Sequence, residues 1–141
     1  MKEHDLIEST TATSRQWLHE LMLELGLPDE EAGRAMHALR AGLHAIRDRL
    51  PTTAAVHLGA QLPTLVRGIY YDGFRLANGA AKVKTRAEMI QCVQRELEPD
   101  MRLSAPAVLQ VVIAQLRKHV SRGEIDKVIA TLPGPIAELW T

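Results

Sequence analysis

Apolar side chains recur along this chain at intervals of three and four, and that period predicts helices almost throughout. Trp17, Leu18, Leu21, Met22 and Leu25 give one apolar face to a first helix starting near Ser14. Gly26 follows it, where a left-handed cap carries no steric penalty. Ala32, Met36, Leu39, Leu43, Ile46 and Leu50 form a second and longer stripe. Pro28 and the acids Asp29, Glu30 and Glu31 suit its first turn, Arg47 and Arg49 suit its last, and Pro51 stops it. Thr52 then caps a short helix carrying Ala55, Val56 and Leu58. Pro63 starts another, with Leu65, Val66 and Ile69 inward. Residues 1–13, polar and β-branched at Thr10, Thr11 and Thr13, carry no sustained period and read as a flexible lead-in.

The pattern then comes round again. Thr85-Arg86-Ala87-Glu88 is a capping box. Met89, Ile90, Val93 and Leu97 repeat the spacing of the first helix, and Pro99 breaks it. Ser104-Ala105-Pro106 opens a counterpart of the long helix, in which Leu109, Ile113, Leu116 and Val120 align with Leu39, Leu43, Ile46 and Leu50. The β-branched run 108–113, taken alone, reads as a buried strand. Its alignment with a helical stripe and the continued spacing to Val120 make it a helix. Being apolar nearly all round, it is either the most buried helix or one that faces a second subunit. Ser121-Arg122-Gly123-Glu124 is a further capping box ahead of Ile125, Val128 and Ile129.

The plainest repeat is short. Gln61-Leu62-Pro63 with Tyr70 returns as Thr131-Leu132-Pro133 with Trp140. The predicted fold is all-α, two tandem four-helix repeats packed into one helical domain. Repeat one spans 14–72, a basic linker 73–84, and repeat two 85–141. Gly73 and Asn78-Gly79-Ala80-Ala81 mark the linker. One copy buries little by itself, so the two share a core.

Composition sharpens this picture. With 141 residues the chain is long enough for one domain with a real core. Only 4% of it is aromatic while 46% is hydrophobic, so the core is aliphatic and alanine-rich, as closely packed helices require. Lys+Arg and Asp+Glu are equal at 17 each, which excludes a wholesale basic footprint for nucleic acid. A local one remains in the linker region, where Arg67, Arg75, Lys82, Lys84 and Arg86 face only Asp72 and Glu88. Such a patch gives weak, salt-sensitive binding. Cys92 is the single cysteine, so no internal disulfide forms, and a reducing cytoplasm is favoured. The start Met1-Lys2-Glu3-His4-Asp5 carries no apolar signal core, and no run approaches the ~18 apolar residues that span a bilayer.

Candidate chemistry is sparse. His44 and Asp48 stand four residues apart and could present a pair to a metal. Their wheel position, and that of His37, lies off the apolar stripe, which reads as a solvated flank. No third ligand stands at a telling spacing. Cys92 falls at the edge of the Met89/Val93 stripe with no base beside it, a boundary residue rather than a nucleophile. Ser14, Ser104 and Ser121 fall at helix starts, where hydroxyls cap. No Gly-rich phosphate loop is present. No catalytic, cofactor or metal residue is therefore assigned, and the balance leans away from an enzyme. What remains is Arg67, Tyr71, Asp72 and Arg75 around Gly68 and Gly73, since tyrosine and arginine anchor interfaces well. The competing reading puts Tyr70 in the core, matching Trp140, with Tyr71 and Phe74 closing the helix over it.

Arg49-Leu50-Pro51, Gln61-Leu62-Pro63, Arg67-Gly68-Ile69-Tyr70-Tyr71-Asp72-Gly73, Ser121-Arg122-Gly123-Glu124-Ile125 and the ending from Leu132-Pro133 to Leu139-Trp140 fall in one order and spacing. In these the chain resembles a bacterial family known as domain of unknown function 2267, from about Ser14 to Trp140. The resemblance implies a cytosolic, all-helical, duplicated domain and brings no reaction with it. The function expected is a non-enzymatic protein-interaction or binding module. It acts on an unknown protein partner through the Arg67 to Arg75 surface, or as a homodimer through the 105–114 face, with no membrane involved. The alternative is a weak nucleic-acid binder using the linker cations, and a lesser one a metal-dependent or small-molecule enzyme.

Overall fold

The computed structural model describes residues 2–76, 82–100 and 102–141. The expected breaker Asn78-Gly79-Ala80-Ala81 lies outside them. The first helix, α1 (Glu3–Leu25), starts well before Ser14. The hydroxyls of Thr10, Thr13 and Ser14 each donate to the carbonyl one turn back, on Leu6, Ser9 and Thr10, at 3.0, 3.1 and 3.0 Å. Polar β-branched residues tolerate a helix when their hydroxyls find such acceptors. Ser14 is thus inside the helix and not its cap, and residues 3–12 form an exposed helical arm. Gly26 closes α1 at φ +67°, with Gly26 and Leu27 N–H donating to the carbonyls of Leu23 and Met22 at 3.2 and 2.9 Å.

A 3-10 turn, Asp29–Glu31, leads into α2 (Ala32–Arg49). Two short helices follow, α3 (Thr52–Ala60) and α4 (Thr64–Tyr71). Pro51, not Thr52, holds the cap position of α3, and no side chain caps it. The second half comprises α5 (Arg86–Leu97), α6 (Ala105–His119), α7 (Arg122–Ala130) and α8 (Gly134–Ala137), which runs into a 3-10 turn, Glu138–Trp140. Thr85, Ser104 and Ser121 cap α5, α6 and α7, their hydroxyls accepting from the N–H of Glu88, Ala107 and Glu124.

The fold is all-α. Helices α1, α2, α5 and α6 form the centre, with α2 packed on α1, α4, α5 and α6, and α3 on α4 and α7. The predicted stripes are the core: Trp17, Leu21, Leu39, Leu43, Ile46, Val93, Leu97, Leu109, Ile113 and Leu116 are all buried. Leu65 is a correction, 48% exposed. The inner face of α4 centres on Val66 and Tyr70, and Leu65 lies off its edge. The apolar surplus of α6 is taken up within the chain, by α1, α2 and α5, leaving Pro106, Gln110, Ala114 and Arg117 to solvent. At the crossing of α2 and α6, Gly42 meets Val112 so closely that a Cβ on Gly42 would lie 2.5 Å from the valine Cγ2. No helix among the described residues is long and apolar enough to cross a membrane.

Candidate functional site

Beside its apolar stripe, α2 carries Arg34, His37, Arg40, His44 and Arg47 at helical spacing. The last carbonyls of any helix lack intrahelical donors. His37, His44 and Arg47 supply them to neighbouring segments, while Arg34 and Arg40 pair with carboxylates. His37 Nε2 lies 3.0 Å from the carbonyl of Leu97, at the end of α5. His44 Nε2 lies 2.7 Å from that of Ile69, in the last turn of α4. Arg47 donates to the carbonyls of Tyr70 and Asp72 at 2.8 and 2.9 Å and to the Asp48 carboxylate at 2.8 Å. Its guanidinium also lies 5.4 Å from the centre of the Phe74 ring, a cation–π distance. Arg34 donates to Asp100 at 2.6 Å and to Glu31 at 2.5 Å.

These contacts correct the expectation of solvated histidines. His37 is half-buried and His44 only 7% exposed, because this flank of α2 faces helix ends rather than water. Burial holds the His44 imidazole below its ordinary pKa, aided by Arg47 and Arg40 and opposed by the Ile69 carbonyl and Glu96. A carbonyl only accepts, so Nε2 carries the proton of the neutral ring. Its other nitrogen, Nδ1, lies 4.0 Å from Glu96 Oε2. His44 and Asp48 do not converge, as each is engaged elsewhere. Among the described residues no three His, Cys, Asp or Glu side chains assemble as metal ligands.

The four residues singled out from sequence part company. Arg67 donates to the carbonyls of Gly59, Ala60 and Leu62 at 3.1, 3.2 and 2.8 Å, closing the end of α3. Tyr70 is fully buried, its hydroxyl donating to the Ala55 carbonyl at 2.7 Å, and burial raises its pKa well above the usual phenol range. Tyr71 is half-buried. Its hydroxyl donates to Val56 at 3.2 Å, and its ring takes the space that a Cβ on Gly59 would need. Phe74 sits beside it, with ring centres 5.9 Å apart. Asp72 and Arg75 are exposed. Arg40 pairs with Asp72 and holds its carboxyl below the usual range. Arg75 makes no hydrogen bond or ion pair among the described residues.

Tyr71, Asp72 and Arg75 therefore share one edge, with Arg67 set to structural use. The Arg40–Asp72 pair borders two clefts. One is an open apolar groove of about 650 Å³, lined by Leu65, Gly68, Ile69 and Tyr71. The other is polar, about 410 Å³, with Arg40, Arg47 and Arg75 facing Asp48, Asp72 and Glu96. Farther along, Lys82 and Lys84 are exposed, while Val83 between them is buried and its carbonyl accepts from Arg49. Cys92 is half-buried, with an Arg95 N–H 3.4 Å from its sulfur.

One polar cluster had no sequence signal. Glu20 of α1 accepts from His119 Nε2 at 2.6 Å, Gln115 at 3.0 Å, Gln16 at 3.0 Å and Lys118 at 3.1 Å. Trp17 stacks on His119, ring centres 4.6 Å apart. Burial alone would raise the Glu20 pKa, but hydrogen bonds from His119, Gln16, Lys118 and Gln115 bring it down to about 2. Gln16 stands one turn away on α1, but Gln115, Lys118 and His119 lie too far along the chain for any local pattern to join them to Glu20. Here the cluster fastens α1 to α6.

Comparison with curated proteins gives no match. The chain does match a family profile described as an uncharacterised conserved protein, over residues 14–139, nearly the whole helical body described above, and it thus belongs to the DUF2267 family.

Proposed function

We propose that this chain is a non-catalytic binding module of the cytoplasm, built by duplication of a four-helix unit, that engages a protein partner through the edge at Leu65, Tyr71, Asp72 and Arg75. One observation carries the reading. Leu65 is a large apolar side chain left 48% exposed in a groove whose rim is the exposed Arg40–Asp72 pair, with Arg75 unpaired beyond it. An apolar centre with a charged rim is the anatomy of an interface.

The duplication is supported by the helix ends. Thr52–Ala60 and Arg122–Ala130 stand at the same offset as Arg49 and His119, the ends of α2 and α6. The contacts follow suit: α1 on α6 answers α2 on α5, and α1 on α4 answers α5 on α8. Such pairing is that of a pseudo-two-fold axis running through the α2–α6 crossing.

Affinity purification of wild type beside Leu65→Asp and Asp72→Ala/Arg75→Ala, at low and moderate salt, tests the interaction. A near-stoichiometric protein that survives moderate salt and is lost in both variants is the expected result. Loss in neither variant overturns the assigned edge. The second reading, a nucleic-acid binder, draws on the exposed Lys82, Lys84 and Arg86. It requires bound nucleic acid that falls away steeply as salt rises.

A further inference from the structure

The groove beside Leu65 continues along α1. Its stretch of about 650 Å³ at α4 meets a second of about 450 Å³, and Thr10 and Leu65 border both. Leu18 and Met36 line the second stretch, each half-buried against the core. Thr11, Ser14 and Arg15 belong to its α1 wall. The helical period puts Ile7, Thr11, Ser14 and Leu18, spaced four, three and four, on one line of α1. Ile7 therefore stands on the line of the groove wall, one turn beyond it, and is 58% exposed.

Two exposed charges, Glu8 and Arg15, flank that line on the same side, two turns apart. A rise of about 10 Å keeps them from pairing with each other. Neither makes a hydrogen bond or ion pair among the described residues. An antiparallel copy of the same helix reverses their order. A two-fold axis at the level of Ala12 sets Ile7 against Leu18 of the second copy and Glu8 beside Arg15 of the second copy, once on each side of the axis. Thr11 and Ser14 meet near the axis, and their small side chains let the helices approach. The Ser14 hydroxyl already donates to the Thr10 carbonyl at 3.0 Å, so covering it leaves no unmet donor.

We infer that α1 pairs antiparallel with α1 of a second copy of this chain, and that Ile7 of each copy enters the other's groove against Leu18, Met36 and Leu65. The contact is isologous, so it closes at two copies. Charge complementarity selects this occupant and this direction. Antiparallel pairing makes two Glu8–Arg15 pairs, whereas parallel pairing in register sets Glu8 on Glu8 and Arg15 on Arg15. Pairing also covers two of the exposed large apolar side chains, Ile7 and Leu65. Leu65 is the apolar centre of the edge proposed above, so the inference rests on that reading there and names what covers it. Asp72 and Arg75 do not line the stretch that Ile7 enters.

The test is sedimentation equilibrium of the chain over a concentration series. The expected result is a monomer–dimer equilibrium that Ile7→Asp weakens about tenfold or more, in the range of a lost interfacial anchor. Glu8→Arg and Arg15→Glu, both at exposed positions, each weaken it roughly fivefold by setting like charges together. Mixing these two variants restores the wild-type affinity, because each altered charge then meets its opposite. A damaged fold in either variant cannot produce that recovery. A chain that stays monomeric at every concentration overturns the proposal. So does a dimer indifferent to Ile7→Asp, or a mixture no tighter than its components. Asp72→Ala/Arg75→Ala leaves the dimer as in wild type, which separates this contact from the rest of the edge. A different protein held equally by wild type and Ile7→Asp, with no dimer, keeps the edge and overturns the second copy as its occupant. A dimer with no other protein bound keeps the second copy and overturns the edge as a site for a different protein.

Discussion

The first four helices and the last four secure their ends by opposite means. In the second half the hydroxyls of Thr85, Ser104 and Ser121 hold the N-termini of α5, α6 and α7. In the first half α1, α2, α3 and α4 start without a side-chain cap. Its side chains work at carbonyl ends instead, His44 and Arg47 on α4, Arg67 on α3, and His37 reaching across to α5. Helix ends in one fold can thus be fixed by local hydroxyls or by long-range cations and imidazoles. The choice decides which residues can be changed without loss, and the two means can be tested against each other.

The sharpest break is at two arginines, Arg47 buried near the end of α2 and Arg117 exposed near the end of α6. Arg47→Met keeps the aliphatic stem but strips donors from the buried Tyr70 carbonyl and the part-buried Asp72 carbonyl, and it is expected to cost about 3 kcal/mol. Arg117→Ala, at an exposed side chain, stays within about 0.5 kcal/mol of wild type. Urea unfolding of the two variants reads the difference directly, and equal effects would dissolve the contrast. Gly42→Ala comes next. Helix propensity favours it by about 1 kcal/mol, but the contact with Val112 outweighs that, for a net loss of about 2 kcal/mol. Adding Val112→Ala relieves the crowding, so a double-mutant cycle should be strongly non-additive.

Glu20→Gln is expected to cost about 1.5 kcal/mol through its weakened charge-assisted hydrogen bonds. The pH dependence has a defined sign. The Glu20 carboxyl sits at about 2 in the fold against an ordinary 4.5. Its contribution is therefore complete above pH 4.5 and is lost as pH falls toward 2. Denaturant midpoints between pH 6 and pH 3 should drop less in Glu20→Gln than in wild type. The smallest effects lie at the helix starts. Ser121→Ala loses about 1 kcal/mol of capping, and Thr52→Ala less than about 0.5 kcal/mol.

The stripes of α2, α5 and α6 were legible because burial imposes a period on neighbouring residues. The hydroxyl caps were legible because donor and acceptor lie three residues apart. The clasp of His44 on Ile69 was not, since its partners are brought together by the packing of α2 on α4. The same holds for Glu20, whose partners Gln115, Lys118 and His119 lie on another helix. The arm before Ser14 was missed for a different reason: threonine runs favour extended chain by propensity, and only the back-bonded hydroxyls reconcile them with a helix. Of the candidate edge, the position of Tyr70 in the core followed from its match to Trp140, while the diversion of Arg67 to the end of α3 depended on tertiary geometry.

The meeting of Gly42 with Val112 has a bearing on how such a chain could have arisen. If the halves are copies, these two residues are the same position facing itself across the axis. A lone first half pairing with its twin would set glycine on glycine and leave a gap. A lone second half would drive valine into valine at a spacing that admits only one side chain. Unlike halves fit and like halves do not, so fragments divided between residues 76 and 82 are expected to reassemble only first with second. On that reading, neither half could return to a symmetric pair without changing the residue at this crossing.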